Sequence, residues 1–281
     1  MSELLRCLGM LAEPPSPETG RIAALLGLPG TPEGWEYNAI FLEQLYPYAS
    51  VYLDASGMMG GEARDRIAGF WRALGEIPPP EPDHLGTLLG AYASLSEAVP
   101  DGADGPLEPA EAAWERARAA FLWEHVLSWL PLWLAKLEQI GSPTYVAWGR
   151  MLGVWLASEA ATLELPEDLP AHLRAAPCLA PPDDDAEGFI NAVLSPVRAG
   201  FILTKTDLAN LAADAGVALR AGERRYALEA LLAQDAAATL DGLAELAAAP
   251  PALEGTIGTH WRQRSRRTSS LLRELAAAAV T

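Results

Sequence analysis

Apolar residues recur at intervals of three and four along almost the whole chain. Leu85, Leu88, Leu89, Tyr92 and Leu95, for example, form one stripe at i, i+3, i+4, i+7 and i+10, the spacing of a helix that buries a single face. Alanine and leucine dominate while β-branched residues are sparse, which also favours helix over strand. The pattern predicts helices over 2–12, 17–27, 35–46, 62–75, 82–98, 109–140 and 143–164, separated by proline- and glycine-bearing breaks. The segment 163–188 concentrates prolines and acids without helical periodicity and reads as a linker or wrapping strap. Beyond it, helices are predicted over 184–194, 206–215, 223–234, 236–248 and 259–279. No segment alternates convincingly with the period of a strand. The expectation is an all-α protein, a large helical bundle over residues 1–180 followed by a C-terminal helical extension over 181–281 with a basic tail.

The chain has 281 residues, half of them apolar, enough for a sizeable core. Charge narrows the choice of partner. The net charge is −17, which argues against nucleic acid as the partner of the whole chain, because phosphate binding needs a cationic face. A basic ligand fits better. Residues 1–182 carry 24 acids and 10 bases, residues 183–281 carry 13 and 10, so the acidity sits in the first part. The final 26 residues reverse the sign, with Arg262, Arg264, Arg266, Arg267 and Arg273 giving +4. This is either a solvated helix face or a tail that docks on the acidic first domain. Cys7 and Cys178 form no C-x-x-C pair, so neither a disulfide framework nor a zinc site is expected. The N-terminus lacks an export pattern, and the longest apolar stretch carries Pro143 and Arg150. No membrane span and a cytoplasmic location are therefore expected.

Four stretches carry candidate chemistry. In "PPPEPDHLGTLLGAYASL" (78–95), Pro82 suits the first helical position and places Glu81 at the cap. Acids in a first helical turn are favoured by the helix dipole, so capping alone is one reading of Glu81 and Asp83. Glu81-x-x-His84 also has the spacing of helical di-iron ligands, but the second such motif those sites require is missing, so no metal is predicted. In "FLWEHVLSWLPLWL" (121–134), Phe121, His125, Trp129 and Trp133 recur every four residues as an aromatic stripe with one polar member. Pro131 deprives the Leu127 carbonyl of its donor and bends or splits the helix near His125 and Trp129.

In "LYPYASVYLDASGMMGGEARDR" (45–66), Tyr46, Tyr48 and Tyr52 precede Asp54 and a glycine-rich turn. The turn lacks a P-loop ending and follows no strand, so it reads as a helix entry and no nucleotide is predicted as a required cofactor. "LTKTDLANLAADAGVALRAGERRYALEALL" (203–232), with Arg220, Arg224 and Arg225, has helix-turn-helix spacing. A transcriptional regulator is thus one alternative, although any helix ending at Gly216 with a left-handed cap meets the same spacing. No catalytic triad, nucleophile elbow or H-E-x-x-H is present. The protein is expected not to be an enzyme, a helical metal-dependent enzyme using Glu81, His84 and His125 being the other alternative.

Taken together, "LYPYASVYLD" (45–54), "EPDHL" (81–85) and "FLWEHVLSWLPLW" (121–133) resemble, in order and spacing, the TorD/DmsD/NarJ family of molybdoenzyme maturation chaperones. The resemblance covers about residues 1–165, and "RAGERR" (220–225) is similar to a stretch of longer members. It implies a TorD-like helical bundle and a cytoplasmic chaperone. Such a chaperone binds the twin-arginine signal peptide or the apo catalytic subunit of a molybdopterin oxidoreductase until cofactor insertion, as a monomer or a helix-exchanged homodimer. A cationic, then apolar, signal needs carboxylates beside aromatic surface. Glu81 and Asp83 are accordingly expected to face its arginines while His84, His125 and Trp129 shape the adjoining groove, and Tyr48, Tyr52 and Asp54 are expected to bind the client with them.

Overall fold

A computed structural model describes residues 2–98, 109–182, 185–219, 222–249 and 253–280. Among them there are sixteen α-helices, two π-helical turns and no strand; the all-α expectation is borne out. The chain divides into two compact units, residues 1–49 with 60–170, and residues 50–59 with 171–281.

The first unit contains α1 (Ser2–Met10), α2 (Pro17–Leu25), α3 (Gly34–Tyr37) and the first residue of α4 (Ala49–Leu53), then α5 (Gly61–Ala73), α6 (Leu85–Glu97), α7 (Pro109–Phe121), α8 (Leu130–Ile140) and α9 (Pro143–Thr162). α2 starts where its sequence dictates. The Ser16 hydroxyl accepts from the Thr19 amide at 3.2 Å, Thr19 Oγ1 accepts from the Ser16 amide at 2.8 Å, and Pro17 follows the cap. α1 crosses α6 closely because both present glycine. A Cβ on Gly86 would lie 3.0 Å from the Gly9 carbonyl oxygen and 2.8 Å from Glu13 Oε1, closer than packed atoms tolerate. The core is aromatic: Trp133 stacks on Phe41 at 5.7 Å, and Trp148 meets both, each at 6.0 Å.

The second unit takes in the rest of α4 and then α10 (Ala171–Ala175), α11 (Ala186–Leu194), α12 (Pro196–Ala199), α13 (Lys205–Ala215), α14 (Arg224–Gln234), α15 (Ala236–Ala248) and α16 (Gly255–Ala279). Its core includes Phe189, Phe201, Leu208, Leu228, Leu243 and Leu272. α16 packs along α15, with the Ser265 and Ser269 hydroxyls donating to the Ala247 and Ala244 carbonyls at 2.7 and 2.8 Å. Gly200 is left-handed at φ 85°, and a Cβ there would come within 2.8 Å of the Arg264 carbonyl carbon, so only glycine fits.

Several boundaries differ from the periodic pattern. The helix expected over 82–98 begins at Leu85, and its N-cap is His84 rather than Glu81. Pro82 and Asp83 stay in the preceding turn because residues 47–49 pair with 83–85: the Ala49 amide donates to the Asp83 carbonyl at 2.9 Å and the Leu85 amide to Pro47 at 2.8 Å. The helix expected over 109–140 is split into α7, a π-helical turn over Leu122–Leu127, and α8, in whose first turn Pro131 lies. The helix over 35–46 shortens to α3 and a π-helical turn at Asn38–Leu42.

Candidate functional site

The three sequence stretches meet at one place in the first unit, through backbone as much as side chains. The 47–49 segment bridges antiparallel to 83–85. From behind, Trp133 Nε1 donates to the Tyr46 carbonyl at 3.2 Å, and Trp129 Nε1 donates to the His125 carbonyl at 2.9 Å. The aromatic stripe thus braces the tyrosine segment, which in turn positions the Glu81–His84 turn.

Five side chains form the site: Glu13 after α1, Tyr37 at the end of α3, Tyr48 on the bridge, Glu81 in the turn and His84 at the α6 cap. Glu13 Oε1 lies 3.0 Å from His84 Nδ1, the histidine side chain 4% exposed and the carboxylate 49%. Nδ1 is also 3.2 Å from the Gly86 amide, but one nitrogen cannot donate to a carboxylate and accept from an amide at once. The shorter, charge-assisted contact takes the proton. That hydrogen bond holds the Glu13 carboxyl below the usual carboxylate range, against the opposing effect of its partial burial.

The His84 ring meets Tyr48 edge-on at 4.9 Å, and the Tyr48 hydroxyl hydrogen-bonds Glu81. Burial, then the charge of Glu81, pushes the Tyr48 phenol well above its ordinary value. Burial followed by Glu13 and Glu81 pushes Tyr37 up to about 12. Both phenols are therefore neutral donors at physiological pH, set beside two carboxylates. The arrangement offers negative charge and aromatic edge to a cation; among the described residues no group of three or more His, Cys, Asp or Glu is placed to hold a metal.

The expected residues fall into three groups. Glu81 is exposed and Tyr48 half-buried, so these reach the surface. Asp83, His84, His125 and Trp129 are buried, at 2%, 3%, 1% and 0% exposure, each packed by the bridge or the aromatic core, so Asp83, expected to face the arginines, and His84, His125 and Trp129, expected to shape the groove, do not lie open at the surface. His125 sits in the π-helical turn between Phe70 and Phe121, both at 5.4 Å. Its Nδ1 has no hydrogen-bond partner among the described residues, and burial, with Arg66 adding to it, pulls its pKa down to about 3. Tyr52 and Asp54 belong to the second unit. There Tyr52 is buried and Asp54 Oδ1 caps its own turn, accepting from the Ser56 amide and hydroxyl at 2.9 and 2.7 Å. Glu13 and Tyr37 were not legible in the sequence, because the contacts that bring them to the site are long-range and no motif surrounds them.

The helix-turn-helix alternative does not fit. α13 ends on Gly216 in a left-handed cap at φ 65°, and eight residues separate it from α14, against the three or four of that motif. Arg220 lies outside the described residues. Arg224 donates to the Leu203 carbonyl at 2.7 Å, and Arg225 pairs with Glu187 at 2.8 Å and Glu229 at 2.9 Å. These cations are spent on the fold. Nor is the basic C-terminus a loose tail, since α16 buries Trp261, Leu272 and Ala276.

The body is all-helical, with Glu81 exposed and Tyr48 half-buried over a braced, buried support. Residues 33–135 match the family model of the nitrate reductase delta subunit. The resemblance to the NarJ- and TorD-type chaperone family is thereby borne out over a segment that holds Tyr37, Tyr48, Glu81, His84, His125 and Trp129. No curated protein matches the chain. No helix among the described residues is long and apolar enough to cross a membrane.

Proposed function

We propose that this protein is a cytoplasmic chaperone for the catalytic subunit of a molybdopterin-dependent oxidoreductase. It holds that subunit, by its twin-arginine signal peptide or its apo body, until cofactor insertion, and transforms nothing. The observation that carries the reading is the pairing of Glu13 and Glu81 with Tyr37 and Tyr48, of which Tyr37, Tyr48 and Glu81 lie in the family-matched segment. A guanidinium approaching Glu81 finds a carboxylate for a forked contact and the neutral Tyr48 phenol beside it, with the buried Tyr37 behind them. His84 and the buried His125–Trp129 stripe act as positioning residues, holding the turn and the tyrosine segment in register. Each carboxylate–arginine contact would contribute on the order of 1 kcal/mol while open to solvent, rising to about 3 kcal/mol when the client covers it. The test is native affinity capture from the source cytoplasm with identification of the co-purifying chain. A molybdenum-enzyme precursor is the expected result; its absence under conditions where that enzyme is being made overturns the reading.

A further inference from the structure

Within the second unit a cleft of about 470 Å³ lies among the end of the strap, α11 and α12. Its apolar lining comes from Pro181 and Pro182 of the strap and from Phe189 and Ala192 of α11; the only cation among its described lining residues is Arg198 of α12. The elements around it are tied together. The Leu179 amide donates to the Arg198 carbonyl at 3.1 Å, Arg264 donates to the carbonyls of Pro177 and Val197 at 2.6 and 2.5 Å, and Phe189 and Ala192 belong to the core of the unit. The cleft is therefore built on packed elements.

Arg198 is half-buried, and its Nε is buried with no hydrogen-bond partner among the described residues. The carboxylate that lines the same cleft, Asp185, is engaged elsewhere. Its Oδ1 accepts from the Gly188 amide at 2.8 Å and caps α11, and it lies so close over Gly188 that a Cβ there would clash with it. A buried guanidinium N–H without an acceptor costs free energy. A carboxylate entering the cleft would satisfy it, in the forked geometry that a guanidinium edge offers. The volume is that of a small-molecule pocket, and the prolines and Phe189 suit an apolar body. Asp185, beside them, disfavours a second negative charge. We propose that this cleft binds a small monoanionic carboxylate of the arylalkanoate class, its carboxylate on Arg198 and its apolar body against Pro181, Pro182 and Phe189. The site is separate from the candidate client site, whose residues all belong to the first unit.

The experiment is calorimetric titration of the full chain with phenylpropionate, with phenylpropionamide as its uncharged counterpart and phenyl phosphate as a dianion. The expected result is one-site binding of phenylpropionate with a dissociation constant below about 1 mM, at least tenfold weaker for the amide, for phenyl phosphate and for the variant Arg198→Gln. A second variant, Ala180→Trp, sets an indole at an exposed position lining the cleft and should abolish binding with an unchanged circular dichroism spectrum and melting midpoint, so the outcome does not depend on how well Arg198→Gln folds. No saturable binding of phenylpropionate overturns the proposal, as does equal binding of the amide or binding that survives Ala180→Trp. Tighter binding of phenyl phosphate than of phenylpropionate overturns the assignment to a monoanionic carboxylate.

Discussion

At the scale of single residues, the candidate site separates side chains that reach the surface from those that are buried and hold them still. Glu81 is the exposed carboxylate, and His84, one turn on, is buried between Tyr48 and Glu13. His125 is the extreme case of a supporting residue, buried among aromatic rings with its pKa pulled down to about 3. The unfolded chain takes up a proton at about 6.5 that the folded chain refuses. Stability from this residue is therefore complete above pH 6.5 and is lost as pH falls from there toward 3. Between pH 7.5 and 5.5 this loss amounts to roughly 1.4 kcal/mol. Glu13, whose pKa is held low, contributes its own loss only below the carboxylate range. Denaturant unfolding of wild type and His125→Phe at both pH values checks this: the variant should lose about 1.4 kcal/mol less than wild type over that interval, and an undiminished loss would mean that His125 is not the group responsible.

At the scale of elements, the long helices were legible because periodicity and capping agree with packing. Residues 17–25, 143–162 and 236–248 lie where the pattern puts them, bounded by Ser16, Ser142 and Asp235. What was not legible came from contacts between distant residues. Nothing local says that 83–85 will pair with 47–49 and so delay the start of α6 to Leu85, or that Arg264, apparently one more cation in a basic tail, will be buried. Arg264 ties the 176–177 strap and Val197 of α12 to α16. Replacing it by methionine keeps the stem and removes the donors, stranding three carbonyls at a cost of about 3 kcal/mol or more. Thermal unfolding of Arg264→Met should show this as a lowered transition of the second unit. A change worth under about 1 kcal/mol would mean that water replaces the guanidinium there.

At the scale of the whole molecule, the acidic charge and the family match fall on the same part of the chain. A net charge of −17, concentrated in the part that matches the nitrate reductase delta subunit model, favours a cationic ligand over an anionic one. The candidate site was legible in part: the motifs located Glu81, Tyr48 and their support, while burial withdrew Asp83, His84, His125 and Trp129 from direct contact, and Tyr52 and Asp54 fell in the second unit. The buried members were chosen for chemistry that their sequence neighbours suggested, whereas accessibility depends on packing that only the folded chain reveals. The most direct measurement is calorimetric titration of a synthetic peptide, two adjacent arginines followed by an apolar segment, into wild type and the double variant Glu13→Gln/Glu81→Gln at low and moderate salt. Binding that weakens about tenfold in the variant, roughly 1.4 kcal/mol, and loses most of its salt dependence is the predicted result. Equal affinity and equal salt dependence in the two proteins, with the variant fully folded, would contradict it.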